Sequence, residues 1–166
     1  AAVRSLILES ATAGLANRAE RQARRAADEA LAARIARDGI AAFVEQWELL
    51  PLFAGLAHLP DETRAALRAQ RLANNPAGLA NSLRGMGSGA QPSLWLRLKG
   101  INKPTLLIVG AEDAKFVALN QRIATTTPGA ALQLIPDAGH IVHLEQPEPF
   151  LATVTDFLEG LRENDG

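Results

Sequence analysis

The chain of 166 residues contains no cysteine. That removes disulfides, thiolate nucleophiles and sulfur-ligated metals together, and it is compatible with a reducing cytosol, so a cytoplasmic location is expected. An excess of charge of one sign is missing as well: 17 Lys and Arg face 18 Asp and Glu, for a formal net charge of −1. No global field points to nucleic acid or to an anionic membrane surface, so neither is expected as a partner, and any site for a charged ligand has to be local. No apolar run approaches the ~20 residues that span a bilayer, and the N-terminus has no signal-peptide pattern. Internal repeats and low-complexity linkers are absent too. What remains is a chain with 48% apolar residues, ordinary for a globular protein and enough for one domain or for a modest core with an inserted lid.

The stretch from Pro104 to Phe150 organises the rest. Leu106 to Val109 is a continuous apolar run stopped by Gly110, the pattern of a strand buried on both faces in a parallel sheet. Ala-Glu-Asp113 follows, which hangs an acid off the C-terminal end of that strand. After a helical interval, Ala131 to Ile135 reads as a second strand, and Pro136-Asp-Ala-Gly139 turns the chain so that His140 leaves the same edge. Functional groups of open parallel sheets collect outside the carboxyl ends of the strands. A carboxylate that fixes an imidazole's tautomer and steadies the imidazolium is the second half of a nucleophile, base and acid triad.

Elsewhere the chain alternates between strand and helix patterns. Val3 to Leu8 is the first expected strand, and it begins almost at once, as if cut from something longer. From Asn17 to Arg37 the residues Ala19, Ala23, Ala27, Ala30, Leu31 and Ile35 recur at three- and four-residue steps, predicting a helix with a thin alanine stripe. Gly39 ends it, and Ile40 to Trp47 forms another with Phe43, Val44 and Trp47 inside. Pro60-Asp-Glu-Thr starts a third helix running to about Leu72, and Asn74-Asn-Pro76 a fourth, broken by Gly85-Met-Gly-Ser-Gly89. Val117 to Thr126 and Pro147 to Arg162 complete the helices, the last with Phe150, Leu151, Val154, Phe157, Leu158 and Leu161 on one stripe. The fold class is therefore α/β: residues 1–16 and 97–166 form a partial parallel-sheet core, and residues 17–96 an all-helical cap or lid.

Asp113 precedes His140, the order of the acid and base in the α/β-hydrolase triad. Their contexts, Val-Gly-Ala-Glu-Asp113 and Ala-Gly-His140 followed by Leu-Glu-Gln-Pro147, resemble the last two triad segments of the α/β-hydrolase family. Trp47 with Pro51-Leu-Phe53, Arg71-Leu-Ala-Asn-Asn75 and Gly89-Ala-Gln-Pro92 add a resemblance to one branch, the 2-succinyl-6-hydroxy-2,4-cyclohexadiene-1-carboxylate synthases of menaquinone biosynthesis. The resemblance covers nearly the whole chain but only the C-terminal portion of that fold. The family's nucleophile sits on a Gly-x-Ser-x-Gly elbow, and none of Ser5, Ser10, Ser82, Ser88 and Ser93 has glycines two residues away on both sides. The expectation is a truncated chain, silent by itself, whose missing N-terminal portion carries the nucleophile.

The resemblance implies a carbon–oxygen lyase that eliminates pyruvate from 2-succinyl-5-enolpyruvyl-6-hydroxy-3-cyclohexene-1-carboxylate, with His140 taking the serine's proton while Asp113 holds the ring, and with no cofactor. Alternatives are an ester or carbon–carbon bond hydrolase of the same fold, or a small α/β binding module without catalysis. A polycarboxylate substrate needs local cations, and by motif position Arg24, Trp47 and Arg71 match the family's substrate contacts. For Arg24 the competing reading is an exposed helix pair with Asp28, four residues on, and Arg21 and Arg25 compete for its role. Trp47 reads equally well as core.

His140-x-x-His143-x-Glu145 lacks the three or four clustered ligands of a zinc site, so no metal is expected. His143 reads as a packing or hydrogen-bonding neighbour, and Glu145 as a carboxylate near a helix start. The glycines from Gly85 to Gly89 follow a helix and lack the lysine of a phosphate loop, which leaves a hinge as their expected use.

Overall fold

A computed structural model of the chain describes residues 3–163. Three strands lie parallel in the order β1 (Leu6–Glu9), β2 (Thr105–Gly110), β3 (Ala130–Ile135). Leu8 pairs with Leu107, and Leu107 with Leu132, so β2 is central and buried along its whole length, as its unbroken apolar run requires. The outer strands are only partly buried.

The helices are α1 (Arg18–Glu48), α2 (Asp61–Leu72), α3 (Pro76–Met86), α4 (Ala114–Thr126), the single turn α5 (Val142–Glu145) and α6 (Pro147–Glu163). Two 3₁₀ segments, Pro51–His58 and Trp95–Gly100, stand between them. No single helix among the described residues is long and apolar enough to cross a membrane.

The chain divides into two units. The sheet unit holds Ala1–Thr12, Leu52–Leu59 and Arg97–Gly166; the helical unit holds Ala13–Pro51 and Pro60–Leu96. The short segment Leu52–Leu59 is thus grouped with the sheet, although it lies between helical stretches in sequence.

In the sheet unit, Leu106, Ile108, Ile135, Ala138 and Val142 form a buried cluster, against which α6 lays Phe150, Val154 and Phe157. The expected α6 stripe is narrower than its spacing suggests: Leu151 and Leu158 are exposed, because only the side facing that cluster has apolar partners. On α4, the fully buried Asn120 donates its side-chain amide to the carbonyls of Ala11 and Phe116, at 3.0 and 2.9 Å, tying the loop after β1 to this helix.

In the helical unit, the Asn17 side chain caps α1 by accepting from Ala19 N–H at 2.7 Å. The break expected at Gly39 is there: with φ 82 and ψ 177 this residue kinks the Arg18–Glu48 run and separates two helices. The buried side of α1 is not the alanine stripe. Of the expected stripe, Ala19, Ala23, Ala27 and Ala30 are exposed and Leu31 is half-buried, whereas Ile35 is buried as expected; Val44, also expected inside, is buried, and Asp28 and Ala32 join them. Alanine carries too little apolar area to decide a helix's rotation, and close packing decides it instead. Gly87 and Gly89 make that packing possible: a Cβ on Gly87 would lie 2.5 Å from Asp28 Oδ2, and one on Gly89 2.5 Å from the Arg25 amide nitrogen. These two glycines serve close approach to α1, a use in addition to the expected hinge.

Candidate active site

The site grows from the carboxyl end of β2. Gly110 ends the strand opposite Ile135 of β3, and a Cβ there would lie 2.1 Å from the Gly139 carbonyl oxygen and 2.2 Å from that of Ala138. Glycine is what lets the loop after β3 cross the end of β2. Backbone hydrogen bonds then join the two strand ends, Ala111 N–H to the Ile135 carbonyl at 2.8 Å and Glu112 N–H to the Ala138 carbonyl at 3.0 Å. Asp137 takes a left-handed backbone conformation, φ 53, to turn the chain, a conformation aspartate tolerates better than most residues.

Asp113 and His140 are brought together by this crossing. His140 Nδ1 lies 2.7 Å from Asp113 Oδ2, with the aspartate side chain buried and the imidazole mostly so. The other carboxylate oxygen, Oδ1, accepts from Phe116 N–H at 3.2 Å and caps α4. One carboxylate thus starts a helix and holds an imidazole. A carboxylate on Nδ1 selects the tautomer with the proton there and the lone pair on Nε2, the nitrogen able to take a proton from a hydroxyl. Within the sheet unit, no described residue hydrogen-bonds to Nε2.

The ring is also held by aromatic contacts. Phe116 lies 4.5 Å from it, centroid to centroid, and Phe53, from the segment grouped with the sheet, approaches edge-on at 6.4 Å. Lys115 stands 5.5 Å from the Phe116 ring centre, a cation–π contact that supports the ring behind His140.

His143 and Glu145, the other members of the dismissed metal motif, have separate tasks. His143 Nδ1 lies 2.8 Å from Glu9 Oε2 at the end of β1, which is the hydrogen-bonding neighbour expected. Glu145, expected near a helix start, lies in the single turn α5 just before α6, and its oxygens accept from Gly139 N–H at 2.8 Å and from the N–H of Ile141, the cap residue of α5, at 3.0 Å. Among the described residues, no group of three or more His, Asp and Glu side chains is arranged to hold a metal ion.

The three expected substrate contacts lie in the helical unit. Arg24 Nε pairs with Asp28 Oδ1 at 2.7 Å, but this is not the exposed pair its spacing suggests, since the Asp28 side chain is only 4% exposed and the Arg24 side chain 48%. Asp28 Oδ2 is buried without a hydrogen-bond partner among the described residues. Arg71 Nη1 lies 3.1 Å from Glu48 Oε1, and Arg68 engages the same carboxylate. Trp47 packs on Phe43, ring centres 5.2 Å apart. Arg21, a competitor for the role of Arg24, is committed to the carbonyls of Leu15 and Ala16 at 2.7 and 2.9 Å.

Sequence reasoning passed over Phe53, Gly110 and Glu145 as site builders. The acid five residues after His140 was the one visible signal; the rest depend on segments distant in the chain.

The chain is similar to a Bacillus subtilis (strain 168) protein provisionally named 2-succinyl-6-hydroxy-2,4-cyclohexadiene-1-carboxylate synthase, at 47% identity over 96% of this chain and 58% of the relative. The synthase of that name from Serratia proteamaculans (strain 568) is 35% identical over 94% of this chain and 58% of its own length. Among solved structures, MenH from S. aureus superposes with a TM-score of 0.95 at 38% identity, covering 96% of this chain and 60% of that one. A thermophilic esterase from Thermogutta terrifontis superposes at 0.75 with 27% identity, over 95% of this chain and 56% of the esterase. The chain spans about six tenths of the length of these relatives. The model of the alpha/beta hydrolase family matches residues 1–153, which takes in all three strands and the helices between them, and on that ground the chain belongs to the alpha/beta hydrolase family.

Proposed function

We propose that this chain is part of a hydrolase-fold lyase of menaquinone synthesis, in which His140 is the base, Asp113 orients it, and a serine hydroxyl comes from polypeptide outside these 166 residues. The observation that carries the reading is the 2.7 Å contact between His140 Nδ1 and the buried Asp113 carboxylate at the carboxyl ends of two adjacent parallel strands. The identity to relatives bearing the synthase name supports the choice of substrate.

The serine gives its proton to His140 Nε2, and Asp113 steadies the imidazolium that results. The activated triad removes a ring proton from 2-succinyl-5-enolpyruvyl-6-hydroxy-3-cyclohexene-1-carboxylate. The electron pair of that C–H bond becomes part of the diene, the C–O bond to the enolpyruvyl group breaks with its pair going to oxygen, and the leaving enolate takes up one proton at its methylene carbon to become pyruvate. A positioned base contributes about 10²- to 10⁴-fold to such a step. Arg24 and Arg71 are the cations for the substrate's carboxylates in this reading, with Trp47 as an apolar contact. Arg24 spends Nε on Asp28, which leaves the terminal amino groups of its planar fork for a ligand carboxylate.

The test joins the 166 residues to the N-terminal segment of the Bacillus subtilis relative and follows pyruvate release. The fusion is expected to turn over the cyclohexene substrate, the chain alone is not, and His140→Ala is expected to silence the fusion. Turnover by the chain alone, or full activity in the variant, overturns the reading. Ester hydrolysis is the second reading, favoured by the superposition on the Thermogutta terrifontis esterase. Faster turnover of a simple aryl ester than of the cyclohexene substrate would select it.

A further inference from the structure

The loop that carries His140 is held by a carboxylate not accounted for by the proton transfers above. Glu145 reaches back over one turn and accepts from the peptide N–H on either side of the histidine, Gly139 at 2.8 Å and Ile141 at 3.0 Å, one through each oxygen. The bond is reciprocated along the backbone, where Glu145 N–H donates to the Ile141 carbonyl at 3.0 Å. A backbone segment clamped immediately before and after one residue has little freedom to rotate that residue's side chain about the chain axis.

A second segment presses on the same carboxylate. Gly55, in the Pro51–His58 turn, approaches so closely that an added Cβ would lie 1.8 Å from Glu145 Oε2 and 2.5 Å from its Cδ. Two residues before it, Phe53 lies edge-on to the His140 ring. Gly139 leaves similar room on the other side, where a Cβ would stand 3.1 and 3.3 Å from the two oxygens. Glu145 is therefore wedged between the histidine loop and the Leu52–Leu59 segment, with one glycine contributed by each.

The geometry points to Glu145 as a positioning residue: it fixes the His140 backbone so that Nδ1 stays on Asp113 and Nε2 faces the hydroxyl it serves. A charged acceptor for two backbone donors holds more strongly than a neutral one, and groups that orient a catalytic histidine act through geometry without touching substrate. This inference rests on the reading of His140 as the base, but its test does not require turnover.

The measurement is the ¹⁵N chemical shifts of the His140 ring nitrogens in the 166-residue chain, which report the tautomer directly. The unsubstituted chain is expected to hold the Nδ1–H form. Glu145→Ala is expected to lower the ratio of that form to the other by about tenfold, the lower range for loss of an orienting partner. Glu145→Gln, which keeps one acceptor oxygen and loses the other, is expected to fall between them. Gly55→Ala displaces the carboxylate without altering it and is expected to reproduce the Glu145→Ala shift, so the test survives if Glu145→Ala fails to fold. Glu148→Ala, an exposed acid on α6, is expected to leave the ratio unchanged.

An unchanged His140 tautomer ratio in folded Glu145→Ala or Gly55→Ala overturns the inference, whatever the enzyme assay shows. Conversely, a shifted ratio in a fusion that is inactive for other reasons leaves the positioning role standing and removes only the assigned reaction.

Discussion

Among the described residues each unit buries one aspartate, and the two are treated differently. Asp113 in the sheet unit has both oxygens engaged, one by a helix N–H and one by an imidazole. Asp28 in the helical unit has one oxygen on a half-exposed arginine and the other buried without a hydrogen-bond partner among the described residues. A buried carboxylate is retained at a cost unless its lone pairs are met. The sheet meets that demand because strand ends deliver backbone N–H groups and side chains from distant segments to one point. A helix bundle has few spare donors, since its own amides are already spent along the helices. The contrast teaches that the sheet edge is built for fixed polar geometry and the bundle for adaptable charge.

The sharpest way to break this comparison is at His140. In the fusion described above, His140→Ala is expected to cost about 10²- to 10⁴-fold in kcat, while the thermal melt of the chain stays close to that of the unsubstituted protein. A comparable loss from Arg24→Ala in kcat, not in KM, would erase the distinction between a fixed and an adaptable region.

Next in size is the core. Leu107 in the central strand and Ile35 in α1 are both fully buried; Leu107→Ala and Ile35→Ala are each expected to cost roughly 2–5 kcal/mol in denaturant unfolding, with the loss larger at Leu107. Similar losses at both positions would show that the bundle is packed as tightly as the sheet.

Arg24→Ala tests the unmet aspartate. It leaves the Asp28 carboxylate buried with no partner for either oxygen, and the expected loss of stability is about 1 kcal/mol, discounted because Arg24 itself is half exposed. Arg24→Ala combined with Asp28→Asn is expected to recover part of that loss in the same unfolding measurement.

The smallest effect concerns the exposed pair Arg84 and Glu29, where the hydrogen bond from Arg84 holds the Glu29 carboxyl below its ordinary value. A carboxyl depressed in the folded state contributes stability above its unfolded value, and that contribution is lost as pH falls through the lowered folded value. Arg84→Ala is expected to remove this small contribution at neutral pH and leave stability below the lowered folded value unchanged, flattening the acid-side slope read from melts across the acidic range.

Much of the architecture was legible in the chain. The run Leu106 to Val109 reads as a buried parallel strand because four apolar residues in a row can satisfy no wet face, and all six residues of β2 are buried. Helix starts at Asn17 and Asn75, where the side chains cap, and at Pro60, where acids fill the first turn, were readable because these signals are local. The rotation of α1 was not, because an alanine stripe differs little in hydrophobicity from its neighbours, and the winning side was selected by glycines some sixty residues away. The same limit hid Glu145: a carboxylate near a helix is ambiguous until its acceptors can be matched to particular donors.

By itself, the order of residues determined that a buried strand would end at Gly110 with an acid beyond it, and that a turn would deliver His140 after the next strand, since runs, breakers and turn formers act over a few residues. Only the tertiary structure decided that Gly110 admits the histidine loop, that Asp113 serves a ring and a helix at once, and that Glu145 clamps the peptide bonds beside His140. The approach at Gly110 and the Asp113–His140 contact join segments 27 or more residues apart, and which nearby donors Asp113 and Glu145 meet is set by where the packed strands put their ends.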